Sequence, residues 1–428
     1  MALYLGIDFG TSGARCAVID SEQKIQQSGR YDFDTATDNL PAAWRRALFT
    51  LIEQIPPPLL KQVEAIAING TSSTVMLCSE TGQPIDAPLL YNDARGAVML
   101  DYLKPVVPLH HTVLSATSSL VKLLWMLQLP TESPARYFLH QADWLGFLLH
   151  GKIGISDYHN ALKLGYDVSN LEYPQWLKNL NLPVELPTVL TPGSIVAPIK
   201  PEWVDYGFNS ECVVCAGTTD SIAAFIASGA LLPGEAVTSL GSTLAVKLLS
   251  HTKIDNSQYG IYSHRFPNFK PQDAQPQNLW LVGGASNTGG AVLRQFFSSD
   301  ELESLSSQID ISQNSKLDYY PLIKKGERFP INDANLQPRL EPRPSSGIEF
   351  LHGLLEGIAR IEARGYELLQ QLGADKLMRV YTAGGGAKNQ AWRQIRQRNL
   401  NVPVQASVYT EAAYGSALLA LRSKRNEV

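Results

Sequence analysis

The sequence predicts an α/β fold built from two halves of similar design. Residues 1–20 have the pattern of a strand, a turn of glycine and hydroxyl residues and a second strand, and residues 235–249 repeat this order. Elsewhere apolar strands alternate with helical patterns, such as a helix over 39–54 and a strand over 63–68. This alternation is typical of α/β domains, and the repeated hairpin indicates an internal duplication.

Further elements follow from the same patterns along the rest of the chain. They are a largely helical stretch over 118–150, strands over 212–216 and 380–383, helices over 221–228, 389–398 and 412–423, and an irregular loop over 250–276. With 428 residues, the chain is long enough for two or three domains that each bury a core.

Composition and charge exclude several classes of protein. The chain is 44% apolar and 18% charged, which rules out a mostly disordered protein. It carries 36 basic and 40 acidic residues, a formal net charge of −4, and this argues against a nucleic-acid partner held through phosphates. No signal-like segment and no apolar run of bilayer length occurs. We therefore predict a cytoplasmic protein without a membrane partner.

The four cysteines are predicted to be reduced core residues. Cys212 and Cys215 have C-x-x-C spacing, but both lie in the predicted strand over 212–216. In a strand, residues three apart point to opposite faces, which suits neither a shared metal nor a disulfide. Cys16 and Cys78 are isolated. The pattern favours free thiols in a reducing compartment.

Asp8 ends the first predicted strand and stands beside the turn Gly10-Thr11-Ser12-Gly13. Backbone N–H groups on such a turn hold phosphate well, because glycine allows both the turn and a close approach. A carboxylate next to a phosphate cradle suits a hydrated Mg²⁺ that bridges protein and phosphate oxygens. An ordinary hairpin turn is the alternative interpretation of this segment.

Two turns in the second half could serve the same purpose. Leu240-Gly241-Ser242-Thr243 joins two predicted strands, and Gly384-Gly385-Gly386 lies between a strand and a helix. Each alone is typical of a plain turn or of close packing, but three such turns at strand ends favour a nucleotide cleft between two domains. No G-x-x-x-x-G-K-[ST] motif occurs, which excludes a P-loop.

Asp220 is the most informative single residue. It follows a buried strand and Gly217-Thr218-Thr219, and it precedes a helix. Its carboxylate could simply cap that helix. Alternatively, it could be a general base that accepts a proton from a substrate hydroxyl as the phosphoryl group leaves ATP.

Several segments together resemble the FGGY carbohydrate kinases, which belong to the superfamily of actin, sugar kinases and heat-shock chaperones. In chain order they are residues 5–13, Tyr91-Asn92-Asp93-Ala94-Arg95, 216–224, Gly326-Glu327-Arg328-Phe329-Pro330, 383–389, and Glu411 with Gly415 and Ala417. The resemblance implies two RNase-H-like α/β domains, over 1–228 and 229–428, that flank a nucleotide and sugar cleft. The final helix, over about 411–423, would pack back on the first domain.

The resemblance also implies ATP and Mg²⁺ as cofactors and roles for individual residues. Asp220 would be the general base, and Asp8 would lie between sugar and phosphates and hold the metal through water. Ser72 would bind the sugar together with these two carboxylates. The residues expected to hold the nucleotide and its phosphates are Thr11, Ser12, Gly13, Arg15, Gly241, Ser242, Gly385 and Asn389.

Departures from the family pattern bear on the substrate. Xylulokinases usually carry Gly-Gln-Met-His-Gly where this chain has Asn69-Gly70-Thr71-Ser72-Ser73, and the Arg-Glu pair of glycerol kinases is absent. Ser72 is short and polar and leaves room for a modest ketose. The chain is most similar to compact kinases of cyanobacteria and plants that act on D-ribulose. We therefore expect D-ribulose as the substrate ahead of D-xylulose.

Two other functions remain open from the sequence. A non-catalytic nucleotide switch of the actin or chaperone type would share the phosphate turns but would need no base after Gly-Thr-Thr. A kinase relic would bind a sugar and hydrolyse ATP slowly. For the kinase, we expect a small-molecule ketose as partner and a monomer or small homo-oligomer.

Two further side chains have open or simple interpretations. Asp157 fits a structural hydrogen-bonding role or a substrate contact equally well. Trp125, like Trp44 and Trp144, lies on a helical face and is predicted to be part of the core.

Overall fold

The computed structural model describes residues 1–34, 39–130, 133–267 and 278–425. Contacts divide the chain into two units. Unit 1 comprises Met1–Ala227 and Glu411–Val428, and unit 2 comprises Ser228–Thr410. The C-terminal segment thus belongs with the N-terminal half of the chain.

Strands and helices alternate along both units. The strands are β1 (Leu3–Phe9), β2 (Gly13–Asp20), β3 (Ile25–Asp32), β4 (Val63–Gly70), β5 (Val75–Cys78), β6 (Tyr137–His140), β7 (Ile155–Asp157), β8 (Thr188–Leu190), β9 (Ile195–Pro198), β10 (Val213–Thr219), β11 (Glu235–Leu240), β12 (Leu244–Ser250), β13 (Tyr262–Phe266), β14 (Leu279–Ser286), β15 (Arg379–Ala383) and β16 (Val404–Ala406). The α-helices are α1 (Leu40–Glu53), α2 (Pro57–Leu60), α3 (Leu100–Leu103), α4 (Ser119–Met126), α5 (Gln141–His150), α6 (Tyr158–Ala161), α7 (Gln175–Lys178), α8 (Pro201–Asp205), α9 (Asp220–Ala227), α10 (Gly290–Leu293), α11 (Ser299–Ser306), α12 (Gly347–Gln371), α13 (Gln390–Leu400) and α14 (Ala412–Arg425). Short 3₁₀ helices cover Arg95–Met99, Leu162–Leu164, Ser257–Tyr259 and Gly385–Lys388.

Each unit is built on a six-stranded mixed sheet. The order in unit 1 is β3-β2-β1-β4-β10-β9, and the order in unit 2 is β13-β14-β12-β11-β15-β16. Without the edge strands β9 and β13, the two orders correspond strand for strand. In both sheets, taken in this shared order, the first three strands are antiparallel to their neighbours. The fourth and fifth strands run parallel to the third. The predicted fold class, with two related α/β halves, is confirmed.

The central strand β1 of unit 1 is buried along its whole length, because helices cover both faces of the sheet. Trp44 and Leu48 of α1 join its apolar side chains in one core. The helix α14 packs so closely on the sheet that its backbone contacts the backbone of β1. A Cβ on Gly6 of β1 would lie 2.0 Å from the carbonyl oxygen of Ala413, and one on Gly415 would lie 1.9 Å from that of Ala223. Only glycine permits these two approaches, which place the first turns of α14 against β1 and against α9.

Two predicted segments are wrong in detail. The stretch over 118–150 is not continuously helical, because β6 separates α4 from α5 and pairs with β5. A short apolar run such as that of β6 has no distinctive period, so its pairing partner decides its structure. The predicted loop over 250–276 contains β13, which pairs with β14. Residues 268–277 of that loop lie outside the described residues.

The four cysteines are core residues, as predicted. Cys16, Cys78, Cys212 and Cys215 are all buried and unbridged. Burial raises the pKa of Cys16 to about 11 and that of Cys78 to about 12, so both are thiols at neutral pH. In the described part of the chain, no helix is both long and apolar enough to cross a membrane.

A buried ion pair anchors the helices of unit 2 to its sheet. The Nε of Arg396 on α13 donates to Oε2 of Glu362 on α12 at 2.6 Å, and the two side chains are 1% and 0% exposed. Glu362 also accepts from Thr238 of β11, and Arg396 donates to Thr382 of β15. Thr238 and Thr382 are register partners on adjacent strands. The pair therefore joins two helices to the adjacent strands β11 and β15 of the sheet.

We expect Arg396→Met to lower the free energy of unfolding by about 3–5 kcal/mol, because it leaves the Glu362 carboxylate buried without its partner. Urea denaturation of the whole chain measures this loss. The matched control is Arg379→Met, which breaks the half-exposed ion pair with Glu235 and should cost at most about 1 kcal/mol. Equal losses in the two variants would contradict the assigned role of the buried pair.

Candidate active site

Three of the predicted site residues lie at one edge of the unit 1 sheet. The strands β1, β4 and β10 are parallel neighbours, and Asp8 is in register with Asn69, which is in register with Thr218. Ser72 follows the end of β4 and Asp220 follows the end of β10. We call this region, defined by Asp8, Ser72 and Asp220, the carboxyl edge. Parallel strands bring the segments that follow them to the same edge, where ligands of α/β proteins typically bind.

Asp8 is a buried carboxylate, and one of its two oxygens could accept a hydrogen bond from a ligand. It is 6% exposed, and Oδ1 has no hydrogen-bond partner among the described residues. Burial and, to a smaller extent, the nearby Asp220 carboxylate raise the pKa of Asp8 to about 7, although Arg15 opposes the shift. A buried polar atom without a partner costs stability, so it is a feature that needs an explanation. A ligand that bonds to Oδ1 would supply one.

Asp220 is the first residue of α9 and is partly exposed. The backbone N–H of Ser221 donates to its Oδ1 at 2.6 Å. This bond holds one carboxylate oxygen at the first turn of α9, and Asp220 lies close enough to Asp8 for the two charges to interact. The helix end holds the carboxylate in place at the carboxyl edge.

The turn after β1 is open to solvent. Thr11 and Ser12 are exposed, and the turn is closed by a bond of 3.0 Å from the N–H of Gly10 to the carbonyl of Gly13. Arg15 is the cross-strand partner of Asp8 and forms an ion pair of 3.0 Å with Glu411. A basic side chain thus lies close to the hydroxyl-rich turn.

Two further hydroxyls belong to this region and were not predicted as site residues. Oγ1 of Thr219 and Oγ of Ser73 are buried and find no hydrogen-bond partner within the described segments. They directly precede Asp220 and follow Ser72, respectively. The Gly-Thr-Thr-Asp motif was a signal for Thr219, but nothing in the sequence distinguished Ser73 from its neighbours. Together with Asp8, they make a set of buried oxygens without partners next to the carboxyl edge.

Asp157 has the structural role that was one of its two interpretations. It is the N-cap of α6, and it accepts from the N–H groups of His159 and Asn160 and from Nδ2 of Asn160. Burial, together with the Asp143 carboxylate, raises the pKa of Asp157 to about 7. Trp44 and Trp144 are core residues, whereas Trp125 is only partly buried and lies under the guanidinium of Arg95 at 4.9 Å.

The predicted turns of unit 2 lie side by side. The strands β11 and β15 are parallel, with Ser239 in register with Ala383, so the turns that follow them share an edge. Gly384 has a φ of +83°, and a Cβ there would lie 2.6 Å from the carbonyl oxygen of Leu240. Glycine is required at this position by both conformation and space. Gly385 differs, because a Cβ on it would meet nothing within 4 Å.

A basic residue that the sequence did not indicate contacts the Gly241–Ser242 turn. Nη2 of Arg294, just after α10, donates to Oγ of Ser242 at 2.9 Å. The N–H groups of Gly290 and Ala291 donate to the carbonyls of Gly241 and Ser242. A guanidinium therefore lies at the predicted phosphate turn. The first residues of α10 bond to this turn, and Arg294 at the end of the same helix thereby reaches Ser242 although it is distant in the sequence.

Asn389 is already engaged within unit 2. It is the N-cap of α13, where Oδ1 accepts from the N–H of Trp392 at 2.9 Å and Nδ2 donates to Oγ of Ser306 at 2.8 Å. Each of these atoms can form one more hydrogen bond. A nucleotide contact would thus add to the cap and would not replace it.

The donor set at the carboxyl edge fits Mg²⁺. This ion prefers oxygen ligands and keeps several waters, so that one or two carboxylates together with substrate phosphates hold it. Asp8 supplies a buried carboxylate oxygen without a partner, and Asp220 supplies a second carboxylate nearby. Among the described residues, no group of three or more His, Cys, Asp or Glu side chains could form an all-protein metal cage.

Comparison with known proteins identifies the family. The N-terminal domain of the FGGY family of carbohydrate kinases matches residues 3–227, and the C-terminal domain of the same family matches residues 236–423. The chain belongs to the FGGY family of carbohydrate kinases. It is thus a phosphotransferase that acts on a small carbohydrate and uses ATP, and membership favours a kinase over a non-catalytic nucleotide switch.

Relatives cover nearly the whole chain. It is 22% identical over 454 residues to the xylulose kinase of Staphylococcus xylosus, covering 98% of this chain and 90% of that one. It is also 22% identical to a glycerol kinase of Saccharolobus islandicus, covering 97% and 87%. Among solved structures, the xylulose kinase of Lactobacillus acidophilus has a TM-score of 0.79 at 20% identity, covering 100% of this chain and 90% of that one. The ADP-bound glycerol kinase of Plasmodium falciparum has a TM-score of 0.83 at 19% identity, covering 99% and 90%. These structures confirm the fold.

Proposed function

We propose that the chain is an ATP- and Mg²⁺-dependent kinase that phosphorylates the terminal hydroxyl of a ketopentose, with D-ribulose converted to D-ribulose 5-phosphate. The observation that carries this proposal is the pair Asp8 and Asp220 at the carboxyl edge. Their charges interact, and a buried oxygen of Asp8 has no hydrogen-bond partner in the part of the chain that the structure describes. Two carboxylates in different environments suit two roles in one reaction.

In this proposal Asp220 is the general base. Its carboxylate is partly exposed, and the Ser221 N–H holds one of its oxygens in place. It accepts the proton of the sugar hydroxyl as the oxygen bonds to the γ-phosphorus and the bond to the ADP oxygen breaks. Ser72 hydrogen-bonds the sugar beside it. Fixed side chains of this kind orient the hydroxyl for attack in line with the leaving group.

Asp8 orients sugar and metal in the same proposal. Its Oδ1 is available to a sugar hydroxyl or to a water of a hydrated Mg²⁺, and this ion would neutralise charge on the phosphate oxygens. The exposed turn of Thr11, Ser12 and Gly13, together with Arg15, supplies donors to the phosphates. Hydroxyl and backbone N–H donors stabilise the negative charge that spreads over the transferring group.

The nucleotide is held, in this proposal, by the turns of unit 2. Gly241, Ser242, Gly385 and Asn389 keep the roles that the family resemblance implies. The guanidinium of Arg294 supports this assignment, because it places a positive charge at the Ser242 hydroxyl.

We expect Gly385→Ala to raise the KM for ATP about tenfold, since a ligand packed against Gly385 would meet the new methyl group. The free chain tolerates this methyl, because nothing lies within 4 Å of it. Steady-state kinetics with ATP and sugar varied separately, together with the unfolding midpoint, measure the effect. Gly347→Ala, at the start of α12, is the matched control, because its new methyl would make an ordinary contact at 3.6 Å with Cδ1 of Leu305. An unchanged KM for ATP in Gly385→Ala would contradict the proposed nucleotide position.

Two observations bear on which ketopentose is the substrate. The short Ser72, in place of the longer side chains usual in xylulokinases, supports D-ribulose. The names of several relatives favour D-xylulose instead. The deciding experiment is ATP-dependent ADP release, coupled to NADH oxidation, with D-ribulose, D-xylulose, ribitol and glycerol. We expect the highest kcat/KM with D-ribulose, whereas a higher value with D-xylulose would overturn the D-ribulose assignment and leave the ketopentose kinase standing.

The predicted cytoplasmic location and the predicted monomer or small homo-oligomer stay predictions. The same holds for the absence of nucleic-acid and membrane partners.

A further inference from the structure

Lys122 on α4 is a buried cation in a position where burial is costly. Its side chain is 0% exposed, which is rare for lysine unless the ammonium group is fully bonded. Its Nζ donates to three backbone carbonyls: to Ser73 at 2.7 Å, to Leu90 at 2.6 Å and to Tyr91 at 3.3 Å. One ammonium group thus bonds two chain segments that are separated in sequence, and all three of its protons are used.

The first of these segments is the turn Thr71–Thr74, which carries Ser72. Ser73 has a φ of +63°, a left-handed conformation that costs free energy for a residue other than glycine. The turn is held from α5 as well, where Oε1 of Gln141 accepts from the N–H of Thr71 and the N–H of Gln141 donates to the carbonyl of Thr74. Lys122 bonds the carbonyl of the strained residue itself. The strain at Ser73 is therefore balanced by contacts directly next to Ser72.

The second segment leads from Leu90 to Arg95, and α4 contacts it at two points. Besides Lys122, the ring of Trp125 lies one helical turn further along α4, under the guanidinium of Arg95. Arg95 in turn donates to both carboxylate oxygens of Asp93, at 2.9 Å and 2.6 Å to Oδ2 and 3.1 Å to Oδ1. The 90–95 segment is thus a fixed support, and Lys122 ties the Ser72 turn to it.

We propose that Lys122 is a positioning residue for the sugar, because it holds the Ser72 turn against the 90–95 segment and so sets the place of Ser72 at the carboxyl edge. This inference rests on the sugar-binding role proposed above for Ser72. Lys122 itself touches no substrate. Loss of its bonds lets Ser73 relax from its left-handed conformation and moves Ser72, which weakens sugar binding and leaves the nucleotide turns of unit 2 untouched.

The protonation of Lys122 supplies a readout that general loss of structure would not give. Burial lowers the pKa of Lys122 to about 8, the Asp93 carboxylate opposes this shift, and the charge of Lys163 adds to it. An ammonium group donates three hydrogen bonds, whereas the neutral amine donates two. Above pH 8 the neutral amine can no longer donate to all three carbonyls. The Ser72 turn is then held less firmly, so the KM for the sugar is expected to rise.

The experiment compares wild type, Lys122→Met, Lys122→Arg and the control Lys104→Met, which removes an exposed lysine that pairs with Asp101. The KM for sugar and the KM for ATP are measured separately between about pH 7 and pH 9.5, either side of the pKa. We expect Lys122→Met to raise the sugar KM at least about tenfold, with the ATP KM and the Lys104→Met values within about twofold of wild type. Wild type should show an alkaline rise of about threefold in the sugar KM, and Lys122→Arg should show none, because arginine stays charged.

An unchanged sugar KM in Lys122→Met, an equal rise in the ATP KM, or the same alkaline rise in Lys122→Arg would overturn the inference. If Lys122→Met does not fold, the pH dependence of the sugar KM in wild type and in Lys122→Arg tests the inference instead. Failure of the proposed function looks different: D-ribulose and D-xylulose would not be phosphorylated by wild type at all. In that case the same comparison is made with the carbohydrate that this kinase does phosphorylate, so the role of Lys122 is still tested.

Discussion

Asp220→Asn is expected to lower kcat for sugar phosphorylation by about 10²–10⁴-fold, because asparagine cannot accept the proton of the attacking hydroxyl. The fold should be preserved. The amide oxygen of asparagine can still accept the hydrogen bond that the Ser221 N–H donates to Asp220, and asparagine is as good as aspartate at a helix start. Stopped or coupled assays at saturating ATP and sugar measure kcat, and urea denaturation checks stability.

Asp300→Asn is the matched control for this variant, since Asp300 is an exposed aspartate in the first turn of α11. It should retain wild-type kcat. If Asp220→Asn were folded and kept kcat within tenfold of wild type, Asp220 would be a helix cap only and another group would have to accept the proton.

Asp8→Asn is expected to lower the activity strongly, as Asp220→Asn does, and at the same time to raise the stability of the chain. The pKa of Asp8 in the folded chain is about 7, well above its ordinary value of 3.8. The stability contributed by such a group is present below its unfolded pKa and is lost as the pH rises through its folded pKa. Wild type therefore loses stability between about pH 4 and pH 7 through this residue, and a neutral asparagine removes the loss.

We expect Asp8→Asn to unfold at higher urea than wild type at pH 8, with a gain of about 1–3 kcal/mol, and to differ little at pH 4. Its kcat/KM for the sugar should fall by at least about a hundredfold, because it loses the charge that positions sugar and metal. A stability gain that is equal at both pH values would contradict the raised pKa as its cause. A gain in stability with full activity would contradict the proposed role of Asp8.

The hairpins and the two aspartates could be predicted because their signals are local. β1 is an apolar run that ends at Asp8 beside glycine and hydroxyl residues, and Asp220 follows Gly217-Thr218-Thr219 directly. The order of the sheet then brings their carboxylates together, as a consequence of the parallel pairing of β1, β4 and β10. A strand period and a turn composition were sufficient to place these two residues at strand ends.

The rest of the site depends on contacts between residues far apart in sequence. Arg294 reaches Ser242 across 52 positions, and Lys122 reaches the carbonyl of Ser73 across 49. The sequence shows both as unremarkable basic residues on helical segments. The strand β6 was missed for the same reason, because its four residues form a strand only through pairing with β5.

The glycines show where the sequence interpretation was too simple. Glycine-rich turns were predicted to cradle phosphates, yet Gly384 is required by its positive φ and by the nearby carbonyl of Leu240. Gly385, its neighbour, has open space in place of a Cβ. Packing accounts for the first glycine and leaves the second without a structural need, which is why a substitution at Gly385 tests the nucleotide site and one at Gly384 would not.

The most direct test of the account is to identify where the γ-phosphoryl group goes. Phosphorus NMR of wild type with ATP, Mg²⁺ and D-ribulose follows ADP, inorganic phosphate and sugar phosphate at the same time. The account predicts a phosphomonoester of the ketose formed in equal amount to ADP, with little inorganic phosphate, and loss of this product in Asp220→Asn. Release of inorganic phosphate alone, whether D-ribulose or D-xylulose is present, would contradict it and would indicate a relic that hydrolyses ATP.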